Sequence, residues 1–183
     1  MTSESTEQVI AATRRWLEKA VIGLNLCPFA AAAYRHGLVR YRVSEQQTPE
    51  GLAEDLEQEL RRLAADDPSV CETSLLIHPH VLNDFFEYNQ FLDQADRTVA
   101  ALGLEGELQI ASFHPAYQFA GSPPDDIANY TNRSPYPMLH VLREASVHRA
   151  AASFGAVNEI GDRNMATLRK LGQAGWRALF GAE

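Results

Sequence analysis

The sequence is poor in the residues on which several classes of protein depend. It has two cysteines, Cys27 and Cys71, too few for a disulfide scaffold or a four-thiolate zinc site. No apolar run approaches the roughly 20 residues that a membrane-spanning helix needs. The first ten residues, MTSESTEQVI, lack the basic and apolar regions of a signal peptide. We therefore expect a cytoplasmic protein with no membrane partner.

Positive charge is also scarce. The 183 residues contain 16 Lys and Arg against 24 Asp and Glu, which gives a formal net charge of -8. Nucleic-acid binding requires a basic footprint, so the charge argues against DNA or RNA as a partner. The basic pairs Arg14-Arg15 and Arg61-Arg62 lie near acids within predicted helices, which is typical of solvated helix faces.

Hydrophobic periodicity divides the chain into alternating helices and strands. Strands are predicted over 38–43, 73–77 and 108–113. Helices are predicted over 5–22, from Thr48 to the turn at Asp66, over 83–102, from Ser134 onward, and from about Ala156 to Phe180. The helix from Ser134 would place Met138, Val141, Leu142 and Ala145 on its buried face, and His140, Glu144 and His148 on a solvated face.

This order predicts an α/β fold in which a small, three-stranded, mostly parallel sheet carries crossover helices, with further helices N-terminal and C-terminal to it. An α+β arrangement with an antiparallel edge strand is the alternative. With 45% hydrophobic residues the chain can bury a sizeable core, and we expect residues 1–183 to form a single domain.

Histidines follow two of the predicted strands. His78 and His80 come directly after 73–77, and His114 follows 108–113. Ligands of open α/β sheets bind beyond the carboxyl ends of the strands, so this edge is the expected position of a site. A long, aromatic-rich loop begins at the same edge, and loops of such length in small domains are usually functional or disordered.

Three motifs carry a resemblance to a known family. GLNLCPFA at 23–30, ASFHPAYQFAG at 111–121 and NYTNRSPYPMLHVLRE at 129–144 together resemble a bacterial family catalogued as a domain of unknown function. The resemblance covers nearly the whole chain and implies a single-domain bacterial protein. It implies no activity, cofactor or catalytic residue.

Two residues are candidates for catalysis. His114 at a strand end can act as a general acid or base near neutral pH, or can hydrogen-bond the long loop and hold it in place. Cys27 can act as a nucleophile if a histidine, with His114 as the candidate, favours its thiolate. The alternative for Cys27 is a position in the core, because Leu26 precedes it and the aromatic Phe29 follows it after one proline.

The candidates for substrate binding centre on Arg133. Its guanidinium precedes a predicted helix start and suits a carboxylate or phosphate, or a structural ion pair with Asp125 or Asp126. The other candidates are Asn132, Ser134, Tyr117 and Tyr136.

These residues support three hypotheses. The first is a hydrolytic or group-transfer enzyme acting on a small anionic substrate. The second is a non-catalytic module that binds a metabolite or a partner. The third is a metal-dependent enzyme that uses His78, His80 and His114 as ligands. No cofactor is predicted, and the sequence does not predict an oligomeric state.

Overall fold

The computed structural model describes residues 4–154 and 157–181. The strands are β1 (Val39–Val43), β2 (Thr73–Ile77), β3 (Leu108–Phe113) and β4 (Met138–Arg143). The helices are α1 (Thr6–Trp16), α2 (Ala30–Arg35), α3 (Pro49–Ala65), α4 (Phe85–Ala101), α5 (Glu144–Phe154) and α6 (Val157–Phe180). A π-helical segment (Leu17–Ile22) continues α1, and a 3₁₀ helix (Ile127–Thr131) lies in the long loop. No helix in the described ranges is both long and apolar enough to span a membrane.

The four strands form one mixed sheet in the order β1-β2-β4-β3. β1 and β2 are parallel and are joined by α3, while β4 runs antiparallel to both of its neighbours. β3 is therefore parallel to β1 and β2 but lies one strand away from β2. The mixed α/β class is confirmed, but the sheet has four strands rather than three, and one of its three neighbouring pairs is parallel.

β4 is the main error of the sequence-based prediction, which assigned its residues to a helix starting at Ser134. The apolar positions fit a helical stripe, but Met138 and Leu139 are both fully buried and their side chains join different core clusters. Only an extended chain buries successive side chains on opposite sides. Backbone pairing with β2 and β3 on both edges stabilises the strand, and the helix begins at Glu144.

Two helical layers cover the sheet. The cluster on one face joins α3 and α4 to the sheet, and the cluster on the other face joins α1, the π-helical segment and the end of α6 to it. The first cluster includes Leu52, Leu56, Leu60, Leu63, Leu76, Tyr88, Phe91, Ala95, Val99, Leu139 and Val141. The second cluster includes Val9, Trp16, Leu17, Ala20, Val21, Leu75, Ile77 and Met138, with Trp176 and Phe180 packed against it.

The caps explain why the two crossover helices begin where the sequence predicted. Thr48 accepts a hydrogen bond from the backbone N–H of Gly51, and Pro49 occupies the first turn of α3. Asp84 accepts from the N–H groups of Phe86 and Glu87 at the start of α4. Each side chain satisfies donors that have no partner within the helix. The predicted start of the last helix, Ala156, lies outside the described residues.

A buried carboxylate fastens β1 to α3. Glu59 is fully buried, and its two oxygens accept from Arg40 at 2.9 Å and from Arg42 at 3.4 Å. Arg42 also binds Asp55 at 2.8 Å. The two arginines lie on the same face of an edge strand, so this network covers their charges as well as holding the strand against the helix.

Removing the charge of Glu59 tests this role. Glu59→Gln leaves two guanidinium groups without their shared carboxylate, and breaking such buried pairs costs about 3 kcal/mol or more. We expect urea denaturation to show a loss of that size. Glu57→Gln is the matched control on the same helix, because its ion pair with Arg61 is exposed and should contribute less than about 1 kcal/mol. Equal losses in the two variants would contradict the role of Glu59.

A glycine breaks α6 and redirects its last turns. Gly172 has φ 67° and ψ 173°, a conformation that is essentially restricted to glycine. The break turns the segment that carries Trp176 and Phe180 onto α1. The Nη2 of Arg15 donates to the carbonyl of Phe180 across this contact, and Gln173 donates to the carbonyl of Asp125 at 3.2 Å.

Two alanine substitutions in α6 should have opposite effects. Gly172→Ala forces a Cβ onto a backbone that tolerates none and should lower the free energy of unfolding by about 1–3 kcal/mol. Gly161→Ala adds a Cβ in open space within the helix and should raise it by up to about 1 kcal/mol. Thermal and urea unfolding of both variants give the comparison, and a neutral Gly172→Ala would show that the break is not required.

Candidate functional site

His114 lies at the carboxyl end of β3 and is buried. Its Nε2 donates to the carbonyl of Leu82 at 3.2 Å, and its Nδ1 accepts from the backbone N–H of Ala116 at 3.0 Å. Its own N–H donates to the carbonyl of Asn132 at 3.1 Å. Burial lowers the pKa of the ring. With both ring nitrogens bonded to the main chain, this is the geometry of a histidine that holds the loop.

Tyr88 reinforces the same corner from α4. Its hydroxyl donates to the carbonyl of Met138 at 2.9 Å and accepts from the N–H of Phe113 at 3.0 Å, so it sits between the ends of β3 and β4. Its ring lies 5.0 Å from that of His114 and 5.8 Å from that of His78. The corner is therefore a packed aromatic cluster in which both histidines are buried.

The three histidines that follow the strands do not converge on a metal. The Nδ1 of His78 donates to the carbonyl of Val81 at 2.9 Å, while His80 faces Glu45 at 3.6 Å. Both ring nitrogens of His114 are already bonded. No group of three His, Cys, Asp or Glu in residues 4–154 and 157–181 has the arrangement of a metal site. His78, His80 and His114 therefore do not form the set of metal ligands that the metal-dependent hypothesis requires.

Cys27 lies on the opposite face of the sheet from His114. It packs against the cluster of α1 and the π-helical segment, whereas the rings around His114 belong to the α3 and α4 side. Burial raises the pKa of the Cys27 thiol to about 11. The thiol is therefore protonated at neutral pH, and the predicted nucleophile–base pair of Cys27 and His114 is not assembled.

The histidine that does lie near Cys27 is His140 of β4. The two residues line a small apolar cavity of about 50 Å³ together with Trp16, Phe29 and Phe113. Thr73 uses its hydroxyl proton on the carbonyl of Val141, so it accepts the Nε2 proton of His140 at 2.7 Å. Burial lowers the pKa of His140 to about 4, which keeps the ring neutral. The prediction that His140 lies on a solvated helix face is wrong.

Histidines whose pKa is lowered by burial make stability depend on pH, and the shift is largest for the buried His78 and the half-buried His140. Burial lowers the pKa of His78 and of His140 from 6.5 to about 4, so the unfolded chain takes up these protons first as the pH falls. The stabilisation from the neutral rings is complete above pH 6.5 and is lost towards pH 4. We expect the free energy of unfolding to fall by up to about 3 kcal/mol per histidine across this range.

Urea denaturation at a series of pH values measures this loss. His140→Gln removes one of the rings whose pKa burial lowers, alongside His78 and His114, and should flatten the dependence between pH 6.5 and 4 by less than half. His36→Gln at the exposed end of α2 is the matched control. A dependence that is as steep in His140→Gln as in the unchanged protein would show that His140 does not contribute.

A wide cleft lies beside the carboxyl end of β3. It has a volume of about 720 Å³ and is bounded by α1, the end of the long loop and the last turns of α6. The side chains and backbone that line it belong to Ala12, Arg15, Trp16, Pro115, Tyr130, Arg133, Ser134, Pro135, Trp176, Arg177, Phe180 and Gly181. Segments that are far apart in sequence therefore meet at the sheet edge where a site was expected.

Arg133, a predicted binding residue, lines the cleft. Its Nε donates to the carbonyl of Tyr117 at 3.1 Å and its Nη2 to the carbonyl of Pro124 at 2.7 Å. Its Cζ lies 4.5 Å from the ring centroid of Tyr130. The alternative ion pair with Asp125 or Asp126 is absent from the described contacts, since Asp126 faces Arg169 at 3.7 Å. Arg133 is therefore fixed by neutral groups, and no carboxylate among its described contacts neutralises its charge.

The other predicted binding residues are distributed over several surroundings. Ser134 lines the cleft, with its hydroxyl donating to the carbonyl of Tyr136 at 2.6 Å. Asn132 donates to the carbonyl of Ser112 at 3.0 Å and holds the loop against β3. The ring of Tyr117 packs on Phe85 and Phe119, and the hydroxyl of Tyr136 donates to Glu4 at 2.8 Å. The last three are outside the described lining of the cleft.

Only two of the twelve described lining residues, Arg133 and Ser134, were predicted as site residues. Arg15 was interpreted as part of a solvated face, and Trp16, Trp176, Arg177 and Phe180 were interpreted as helix residues without a site. Their shared position depends on the return of α6 to α1, which no local pattern records. The one available signal was that both tryptophans of the chain lie within one or two residues of an arginine.

The described residues thus define an α/β protein with an arginine-lined cleft at the edge of a mixed sheet. Residues 8–178 match the family model described as a protein of unknown function (DUF1415), and the chain belongs to that family, as the three motifs predicted. No curated protein and no solved structure matches the chain.

Proposed function

We propose that this protein binds a small anionic molecule in the arginine-lined cleft. The observation that carries the proposal is the charge of the lining. Arg15, Arg133 and Arg177 all line the cleft, and its described lining contains no Asp or Glu, although the chain as a whole has a net charge of -8. Guanidinium groups that line one cleft without a carboxylate are stabilised by an anion that binds there.

The size of the cleft supports a small molecule. Its volume of about 720 Å³ lies within the range of roughly 300–1,000 Å³ that is usual for small-molecule sites. Its walls come from three separate segments, so a ligand would be enclosed on several sides. Arg133 is already oriented by two carbonyl groups, and a fixed guanidinium binds a carboxylate or phosphate with little loss of side-chain entropy.

The chemistry of the lining favours binding over catalysis. The described lining contains no His, Cys, Asp or Glu that could transfer a proton or attack a substrate near neutral pH. Cys27 and His114 lie elsewhere, one as a protonated thiol and the other with both ring nitrogens bonded to the main chain. The non-catalytic module is therefore the favoured hypothesis, and a hydrolytic or group-transfer enzyme would require groups that this cleft lacks.

Anion titration tests the proposal. Inorganic phosphate and citrate should each raise the melting temperature and change the tryptophan emission, because Trp16 and Trp176 are the two tryptophans of the chain and both line the cleft. Arg177→Gln should weaken binding about ten-fold, the usual effect of losing one charge-assisted hydrogen bond. Arg177 has no ion pair among the described residues, so its loss should leave the fold intact.

Arg97→Gln is the matched control for this experiment. It removes the same charge from an exposed position on α4, on the other face of the sheet. Anion affinity should then match that of the unchanged protein. Equal weakening in the two variants would reduce the effect to net charge, and a lack of response to every anion in the unchanged protein would exclude the cleft as an anion site.

A further inference from the structure

We infer that the molecule bound in this cleft is an aromatic acid, a flat ring system that carries a carboxylate or phosphate group. The inference rests on the proposed function and names the class of its ligand. The aromatic side chains that line the cleft alongside its arginines support this class of ligand.

The walls of the cleft are aromatic on three sides. Trp16 comes from α1, Tyr130 from the 3₁₀ helix, and Trp176 and Phe180 from the end of α6. The ring of Trp176 lies 4.9 Å from that of Tyr130 at 68° and 5.5 Å from that of Phe180 at 58°. These inclined rings give the cleft flat walls at several orientations, and flat walls are best filled by a flat ligand.

The structure already contains one example of such stacking. The guanidinium of Arg133 lies over the ring of Tyr130, with its Cζ 4.5 Å from the centroid. Its hydrogen bonds to the carbonyls of Tyr117 and Pro124 fix its position without a ligand. An arginine fixed in this way both attracts an anionic group and stacks on an aromatic ring.

The neutral polar groups of the lining are already in use. The indole Nε1 of Trp16 donates to the carbonyl of Arg133 at 2.9 Å, and the hydroxyl of Ser134 donates to the carbonyl of Tyr136 at 2.6 Å. A ligand that carried several hydroxyl groups would find few partners and would lose the hydrogen bonds it makes with water. The part of the ligand that lies away from the anionic group is therefore apolar.

The anionic group is expected at the rim. Arg15 and Arg177 are exposed, and one Nη of Arg15 donates to the carbonyl of Phe180. A guanidinium has five donors, so both arginines retain donors for an acid. The ring system would then lie inward against Tyr130, Trp176 and Phe180, which are partly exposed.

Isothermal titration calorimetry of the full chain with four probes tests this inference. The probes are naphthoate, decalin carboxylate, naphthylmethanol and inorganic phosphate. Naphthoate should bind about five-fold more tightly than decalin carboxylate, which has the same charge and carbon skeleton but no aromatic ring. Naphthylmethanol, which has the ring but no charge, should bind at least about ten-fold more weakly than naphthoate.

Variants then separate the two parts of the site. Trp176→Leu keeps an apolar wall but removes a ring, and should bring the affinities for naphthoate and decalin carboxylate within about two-fold of each other. Phe180→Leu should have the same effect if Trp176→Leu fails to fold. Phe86→Leu on α4, where the ring is 70% exposed and far from the lining, is the matched control and should retain the preference.

The outcomes distinguish this inference from the proposed function. Equal affinity for naphthoate and decalin carboxylate in the unchanged protein would overturn the aromatic class and leave the anion site in place. Binding of naphthylmethanol as tight as that of naphthoate would overturn the requirement for an anion. Binding of neither naphthoate nor phosphate would overturn both the inference and the proposed function.

Discussion

The antiparallel insertion of β4 between β2 and β3 is the constraint on which the rest of this structure depends. It pairs with one edge of β2 and one edge of β3 and buries Met138 and Leu139 in different layers, so both faces of the sheet present apolar side chains to the helices. It also returns the chain to the edge where β3 ends. The long loop must therefore leave and re-enter the sheet at neighbouring positions, which places Pro115 and Arg133 on one cleft.

The sequence predicted the elements whose signals are local. β1, β2, β3, α3 and α4 follow from alternating or periodic apolar residues with caps at Thr48 and Asp84. β4 was missed because its six residues are too few for periodicity to separate a buried strand from a helix, and the preceding Ser-Pro pair resembles a helix start. The pairing that decides between them is a long-range interaction with β2 and β3.

The site shows the same division between local and long-range information. Arg133 and Ser134 were predicted to bind a ligand from their place in the loop, and both line the cleft. Trp176 and Arg177 could not be predicted, because their position depends on the break at Gly172 and on contacts with α1. His114 shows why residue type alone is insufficient. A histidine at a strand end suits acid–base chemistry, yet here the main chain uses both of its ring nitrogens.

The walls of the cleft come from residues 12–16, 115–135 and 176–181, so the site joins early, middle and late parts of the chain. During synthesis all four strands leave the ribosome before the end of α6, so the cleft is the later of the two to be completed. A chain that ends before Gly172 would thus carry all four strands but lack the wall of the cleft that Trp176, Arg177 and Phe180 supply. Occupancy of the proposed anion site would then depend on the packing of the last turns of α6 against α1.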